Sequence, residues 1–420
     1  MIDIKLLRTD PWQIKKNCAD KNISLDIDHI VSLDAQARAL KQTIDELNAQ
    51  RNQAASQRDV EWWKALKIKI SDIESAYHTI TNELNPLLLQ IPNGYSTDTP
   101  HGKDESHNVV LRSWWDKKNF DFVPLEHREL AERRWLINFE AWSKVSGSRF
   151  AYLQWDLVKM QFALVQWIMD MLTNQATIDH IISHRKLDVS HRVFELVLPP
   201  VIMKMDVMQK MWRLEPKDER YCLHDDQQVL VWSAEHTLWP IHMDQTINDL
   251  PKRYLWYSTS FRREAWSYGR DVKGILRQHQ FDKLEMESFT TAETGQSEQD
   301  FMVAIQEYIL QLLWLPYQVV ICCTWDMGAV DYRHIDIETW MPGQQKYRET
   351  HSADYMTDYQ TRRLMTRYKT ADWLAFVHTN DATALAIWRW LIAIIENYQQ
   401  SDWTIIVPDV LKRRVWKDFI

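Results

Sequence analysis

Glycine is nearly missing from this chain. Eight glycines occur in 420 residues, against about 29 at an average usage of ~7%. Glycine ordinarily fills left-handed turns and close backbone approaches, so a large chain this poor in it has other residues at such places. Cysteine is also sparse. Cys18, Cys222, Cys322 and Cys323 have no metal-ligand spacing, and Cys322-Cys323 lies in the apolar run YQVVICC, which reads as a buried strand. A disulfide framework is excluded, and a reducing cytoplasm suits the thiols. No apolar run reaches the ~18 residues of a membrane span; the longest candidate, ATALAIWRWLIAIIENY, is interrupted by Arg389. The opening MIDIKLLRTDPW has no apolar core or cleavage site of a signal peptide. Positive charge is not in excess either. A net charge of −8 excludes a global pull toward nucleic acid and leaves only local patches for such contacts.

The length suits two domains around a large core. In the first third, apolar residues recur at Ile30, Leu33, Ala37, Leu40, Ile44 and Leu47, and again at Leu66, Ile70, Ile73, Tyr77, Ile80 and Leu84. Steps of three and four are a heptad seam. The polar break RNQAASQRDVEWW between the seams predicts an antiparallel helical hairpin, ended by Pro86 and then Pro92. Seven Lys/Arg face ten Asp/Glu over residues 26–85, so the arm is not basic; a bare coiled-coil spacer fits it as well as an RNA-reaching arm that reads shape. After the polar stretch 93–108, helices are expected around 125–142, 156–183, 297–314 and 383–398. Strands are expected in FELVLPPVIM, YCLHDDQQVLVW, KRYLWYSTSFRRE, RQHQFDKLEMESFTT, YQVVICC and YRHIDIETWM. Few βαβ alternations make this an α+β chain with an antiparallel sheet. The expected division is an N-terminal domain at 1–100 and a second domain at 101–420.

Residues 261–286, FRREAWSYGRDVKGILRQHQFDKLEM, have the layout of a strand pair crossing a nucleotide. The stretch closely resembles motif 2 of class II aminoacyl-tRNA synthetases in the form used by seryl-tRNA synthetases, and the resemblance extends over nearly the whole chain. The hairpin resembles the family's tRNA-binding arm, and Pro200 in LVLPPVIM the motif 1 proline at the dimer interface. The resemblance implies an ATP-binding set of Arg262, Arg263, Glu264, Glu349, Thr350, His351, Ser352 and Arg389. It implies a serine-binding set of Ser233, Ala234, Glu235, Glu285 and Thr383, with Thr383 and Arg389 on a helix starting near 383. Glu338 and Glu349 become metal ligands, and Arg262, Arg277 and Arg389 the catalytic cations. These residue types suit the chemistry: guanidinium forks match phosphate oxygens, and fixed cations stabilise charge building on the α-phosphate and pyrophosphate. The implied activity is a serine–tRNA ligase, with ATP and Mg2+ as cofactors. Its implied partners are L-serine, tRNA(Ser) and a second copy of the chain in a homodimer, with no membrane. Single arginines or glutamates are ordinarily solvated surface charges; order and spacing together carry the resemblance. Two other readings stay open: a synthetase-like ligase loading an amino acid onto a carrier protein, against which the hairpin argues, and a catalytically inactive tRNA-binding paralogue.

That last reading depends on tryptophan, which is as abundant as glycine is rare, at 22 residues. Trp115, Trp155, Trp212, Trp232, Trp239, Trp256, Trp266, Trp314, Trp325, Trp373, Trp388 and Trp403 stand where the family has glycine or where a turn wants it. A dozen indoles there are expected to overpack core and pocket at ~1–3 kcal/mol each. The alternative is that UGA codons, read as glycine in some bacteria, are written here as tryptophan. Trp340, in IETWMPG, reads as a genuine tryptophan.

Overall fold

The computed structural model describes residues 2–138, 141, 144–265 and 274–420. The motif 2 loop with Trp266 lies outside the described residues. The chain divides into two compact units, Met1–Gly94 and Tyr95–Ile420.

In the first unit, two short helices precede α1 (Ile27–Ser56) and α2 (Val60–Gln90). Each long helix is started by an aspartate that accepts a bond from a backbone N–H of its first turn: Asp26 from His29, and Asp59 from Trp62. The two helices pack through the expected seams. Ile30, Leu33, Ala37, Ile44 and Leu47 are buried on α1, and Leu66, Ile70 and Leu84 on α2. Leu40, Ile73, Tyr77 and Ile80 are half-buried. Asp34 lies within the α1 seam, held by Arg8 and Arg38 at 2.7 and 3.0 Å. One expectation fails: Pro86 does not end α2 but lies inside it. A proline in a helix costs ~3 kcal/mol, and buried Leu84 and Leu88 on either side supply packing that offsets it.

The second unit is built on an eight-stranded sheet. Its strands in chain order are β1 (Val109–Trp114), β2 (Glu195–Val197), β3 (Lys252–Phe261), β4 (Gln280–Thr290), β5 (Tyr317–Ile321), β6 (Arg333–Met341), β7 (Lys346–Thr357) and β8 (His378–Ala386). Their order across the sheet is β1-β5-β6-β7-β8-β4-β3-β2. All neighbours are antiparallel except β2 and β3. Alternation along the strands separates two faces. Leu284, Met286, Ile335, Ile337, Ala353 and Ala382 enter one apolar core with α3 (Gly295–Leu312) and α4 (Ile387–Tyr398). The opposite face carries the polar alternates His334, Asp336 and Glu338 of β6 and Lys283, Glu285 and Glu287 of β4. No described helix is long and apolar enough to cross a membrane.

Tryptophan overpacks less than its abundance implied. Trp115, Trp155, Trp314, Trp325, Trp373 and Trp403 are exposed. Trp239 and Trp256 are fully buried, with their indole N–H groups bonded to Glu287 and to the Ala234 carbonyl, both at 2.8 Å. The misfit is in the backbone instead. Trp115, Trp155, Trp212, Trp314 and Trp403 all have positive φ, as do Trp135 and Trp416. A left-handed residue with a Cβ costs ~1–2 kcal/mol.

Candidate active site

The polar face of the sheet holds a cavity of about 290 Å³. Arg262, just past the end of β3, crosses it toward Trp232, whose carbonyl accepts from Nε at 2.9 Å. Its guanidinium lies 5.0 Å from the Phe281 ring. Burial pushes its pKa down, against the pull of Glu264 and Glu235. Glu264 also lines the cavity and is paired with Arg277, whose Nε donates to its carboxylate. Arg277 therefore comes to the cavity already engaged by Glu264 rather than as a free second cation.

The opposite wall comes from β7, β8 and the first turn of α4. Register slips between the pairs Ile337–His351 and Glu338–Glu349, so β7 carries one extra residue there. This β-bulge turns Glu349 onto the polar face while His351 stays on the core face. Arg389 donates through Nη1 to the Glu349 carboxylate at 2.8 Å and to its carbonyl at 2.9 Å. Burial raises the Glu349 pKa, but Arg389 and His334 outweigh it and the net direction is down. The Ser352 and Thr383 hydroxyls lie 3.3 Å apart on the cavity wall. A second cavity of about 450 Å³ shares Leu276, Arg277, Glu349 and Arg389 with the first and continues to Lys346 and Arg348.

Behind the first cavity lies a carboxylate group. Lys283 lines the cavity and pairs with Glu285 one strand step away; its ammonium is 3.5 Å from the Ser233 hydroxyl. Ser233 donates to Glu235. Glu235, Glu285 and Asp381 bring carboxylate oxygens within 4.8 Å of one another, and all three residues are buried. Burial raises the Glu235 pKa, but His236, Lys283 and the Ser233 hydroxyl outweigh it and lower it to about 2. Burial together with the Glu235 charge raises Glu285 to about 8, against the opposing pull of Lys283.

Several sequence expectations are corrected by this geometry. Arg263 turns away from the cavity, with its guanidinium 5.6 Å from the Tyr221 ring, because neighbours on an extended segment point to opposite sides. His351 is buried 4.9 Å from the Trp390 ring on the core face, and burial lowers its pKa to about 3, so it is a neutral core residue. Thr383 lies on β8 rather than on a helix; only Arg389 is helical, at the start of α4. The expected helix from 383 merged strand and helix because ATALAI is apolar throughout. Ala234 contributes its carbonyl, which accepts from Trp256. Thr350 lines the cavity, but its hydroxyl is bonded to Thr339 and His351. Glu338 is the cross-strand partner of Glu349 and accepts from Gln318, outside both cavities. Lys283 and Asp381 were missed as site residues. Lys283 could have been found from its place two residues before Glu285 on the same strand face.

An antiparallel sheet with arginines converging from one strand end and one helix start is the catalytic core of a class II aminoacyl-tRNA synthetase. The family model "tRNA synthetase class II core domain (G, H, P, S and T)" matches residues 212–398, which hold every element of the cavity described above. "Seryl-tRNA synthetase N-terminal domain" matches residues 1–95. The chain is 36% identical to the serine–tRNA ligase of Dictyoglomus turgidum, covering 98% of this chain and 97% of that protein. It is 35% identical to that of Fervidobacterium nodosum, with 100% and 99% covered. The crystal structure of seryl-tRNA synthetase from Pyrococcus horikoshii complexed with ATP superposes with a TM-score of 0.88 at 30% identity, covering 100% of this chain and 99% of that one. The chain belongs to the seryl-tRNA synthetase family.

Proposed function

We infer that this chain is a serine–tRNA ligase. It joins L-serine to ATP as seryl-adenylate, releasing pyrophosphate, and passes the seryl group to the 3′ end of tRNA(Ser). The observation that carries the reading is the pairing of an arginine-lined cavity with a buried carboxylate group joined to it by Lys283. The cavity holds ATP: Arg262 faces the α-phosphate, where charge builds as the serine carboxylate attacks, and Arg389 the far end of the triphosphate. Glu264 meets the adenine end, with Arg277 held beside it. Arginines fixed in place before the reaction lower its barrier without reorganising. Glu349 and Ser352 complete the nucleotide wall. Serine lies toward the carboxylates, with Glu235 taking its ammonium and Glu285 and Thr383 its hydroxyl. No enzyme side chain becomes covalently bonded; catalysis is positioning and charge stabilisation.

Mg2+ fits beside Glu349. Glu349 lines the cavity and would hold the ion with substrate phosphates, whereas its cross-strand neighbour Glu338 lies outside the cavity and accepts from Gln318. One carboxylate plus substrate phosphates and water is an ordinary magnesium donor set. When bound, the ion neutralises phosphate charge.

The proposed division of labour gives residues 1–100 to tRNA and 101–420 to chemistry. A homodimer forms around the segment with Pro200, where Leu196, Leu198 and Ile202 are exposed together. The proposed compartment is the cytoplasm. The test is serine-dependent ATP–pyrophosphate exchange, run on the chain as written and on one with glycine at 232, 266 and 388 and at the seven tryptophans of positive φ. Exchange that requires serine is expected at least from the glycine form. Its absence there defeats the assignment, and exchange followed by transfer to a carrier protein instead of tRNA favours the carrier-ligase reading.

A further inference from the structure

Tryptophan makes up 22 of 420 residues, about one in twenty. Among described residues, eighteen other than glycine have positive φ, and seven of these are tryptophan: 115, 135, 155, 212, 314, 403 and 416, with φ between 48° and 69°. Asparagine and aspartate, the side chains best suited to this region, account for only three, Asn22, Asp244 and Asp249. A bulky aromatic in the left-handed region is an outlier wherever it occurs; seven in one chain call for a common cause.

The local hydrogen bonding says which residue these positions want. Four of the seven end helices. Trp135 follows the helix His127–Arg133, Trp212 follows Met205–Lys210, Trp314 follows α3, and Trp416 closes Asp409–Val415. In the first three, the next residue's N–H reaches back five residues: Leu136 to Ala131 at 2.9 Å, Arg213 to Met208 at 3.0 Å, and Leu315 to Leu310 at 3.1 Å. This is the Schellman helix ending, whose left-handed residue is usually glycine because only glycine has no Cβ to strain. The indoles give little in return. Trp135, Trp155 and Trp416 are 76%, 72% and 86% exposed, so burial does not offset the backbone cost. The same chain is short of glycine by about twenty residues against average usage, and only Gly147 and Gly274 have positive φ among its described glycines.

We propose that in its own cell this protein carries glycine at 115, 135, 155, 212, 314, 403 and 416, the seven codons being UGA and read there as glycine. The set differs from the one drawn from the sequence. It adds Trp135 and Trp416, and it leaves out Trp232, Trp239, Trp256, Trp325, Trp373 and Trp388, whose backbones make no such demand, and Trp266, which lies outside the described residues. Backbone conformation carries this inference, independently of which amino acid the enzyme activates.

The deciding measurement is peptide mass spectrometry of the protein purified from the organism that makes it, alongside the codons of its gene. Glycine at the seven positions, on UGA codons, is expected. Tryptophan at 135, 212 or 314, or UGG at those codons, overturns the proposal. A second measurement tests the conformational argument in a recombinant host. The chain as written is compared with one bearing Trp→Gly at all seven positions, and with Trp340→Gly, at a buried tryptophan, as a control. The sevenfold variant should melt several degrees higher, or fold where the literal chain does not, while Trp340→Gly melts lower. A sevenfold variant that melts at or below the literal chain refutes the argument.

Discussion

Replacing Arg389 with alanine should separate activity from stability more cleanly than any other change at the site. Arg389 is held through one nitrogen, to the Glu349 carboxylate at 2.8 Å and its carbonyl at 2.9 Å. The two side chains are 30% and 46% exposed, so water screens the pair and it is worth ~0–1 kcal/mol to folding. Losing it should lower the melting temperature by no more than about 4 °C. In its proposed role the same guanidinium makes charge-assisted hydrogen bonds to a bound triphosphate, worth ~1.5–3 kcal/mol each. A preorganised donor at developing charge is worth ~10²–10³ in rate. Arg389→Ala should therefore cut serine-dependent ATP–pyrophosphate exchange by ~10²–10³ with a nearly unchanged melt. Arg389→Lys should recover only part of this, since an ammonium keeps the charge but not the planar fork. Exchange within a few-fold of the parent, or a loss of activity matched by a large drop in melting temperature, would refute the placement of Arg389 at the phosphates.

Other expectations follow from the same geometry. In its proposed role Glu235 holds the serine ammonium, so Glu235→Gln should cost one charge-assisted bond, ~1.5–3 kcal/mol, and raise the KM for serine ~10–100-fold while leaving the KM for ATP alone, as steady-state exchange can show. Glu285 is raised to about 8, so the folded chain holds a proton there that an unfolded one releases near the ordinary ~4.3. The stability from that proton is complete below pH ~4 and is lost as pH climbs through about 8; melting curves across that window should flatten in Glu285→Gln. His351→Phe should leave exchange kinetics unchanged, since the ring is a neutral core contact with Trp390; a large rise in the KM for ATP would restore His351 to the nucleotide site. Shortening the tips of α1 and α2 should spare exchange and depress tRNA charging at least tenfold, a split read by comparing the two assays.

The sequence was most legible where one physical signal governed a long stretch. The heptad seams announced α1 and α2 because burial repeats every three or four residues there, and HIDIE announced β6 because period two puts His334, Asp336 and Glu338 on one face. Legibility failed where two signals overlapped. ATALAIWR is apolar enough for either structure, so the passage from β8 to α4 was invisible, and with it the placement of Thr383 on a strand. Pro86 read as a stop because its local cost is known, whereas the packing of Leu84 and Leu88 that offsets it is tertiary. The bulge in β7 had no sequence signal, and it decided that His351 faces the core. The family resemblance placed Arg262 in the site, but only the structure showed that Arg263 turns away from it.

That bulge has a genetic consequence. Were Thr350 an ordinary strand residue, strict alternation would carry Glu349 round to the side of His351, away from Arg389 and into the apolar core; the bulge absorbs Thr350 and keeps Glu349 opposite Glu338. The position of this acid is thus encoded in a count rather than in a side chain. Deleting Thr350 would close the bulge and leave the pairs Ile337–His351 and Glu338–Glu349 facing as before, whereas adding one residue to the regular strand on either side would reverse the facing of every residue beyond it. Drift at this locus should tolerate the loss of Thr350 more readily than a change of length in the regular strand around it.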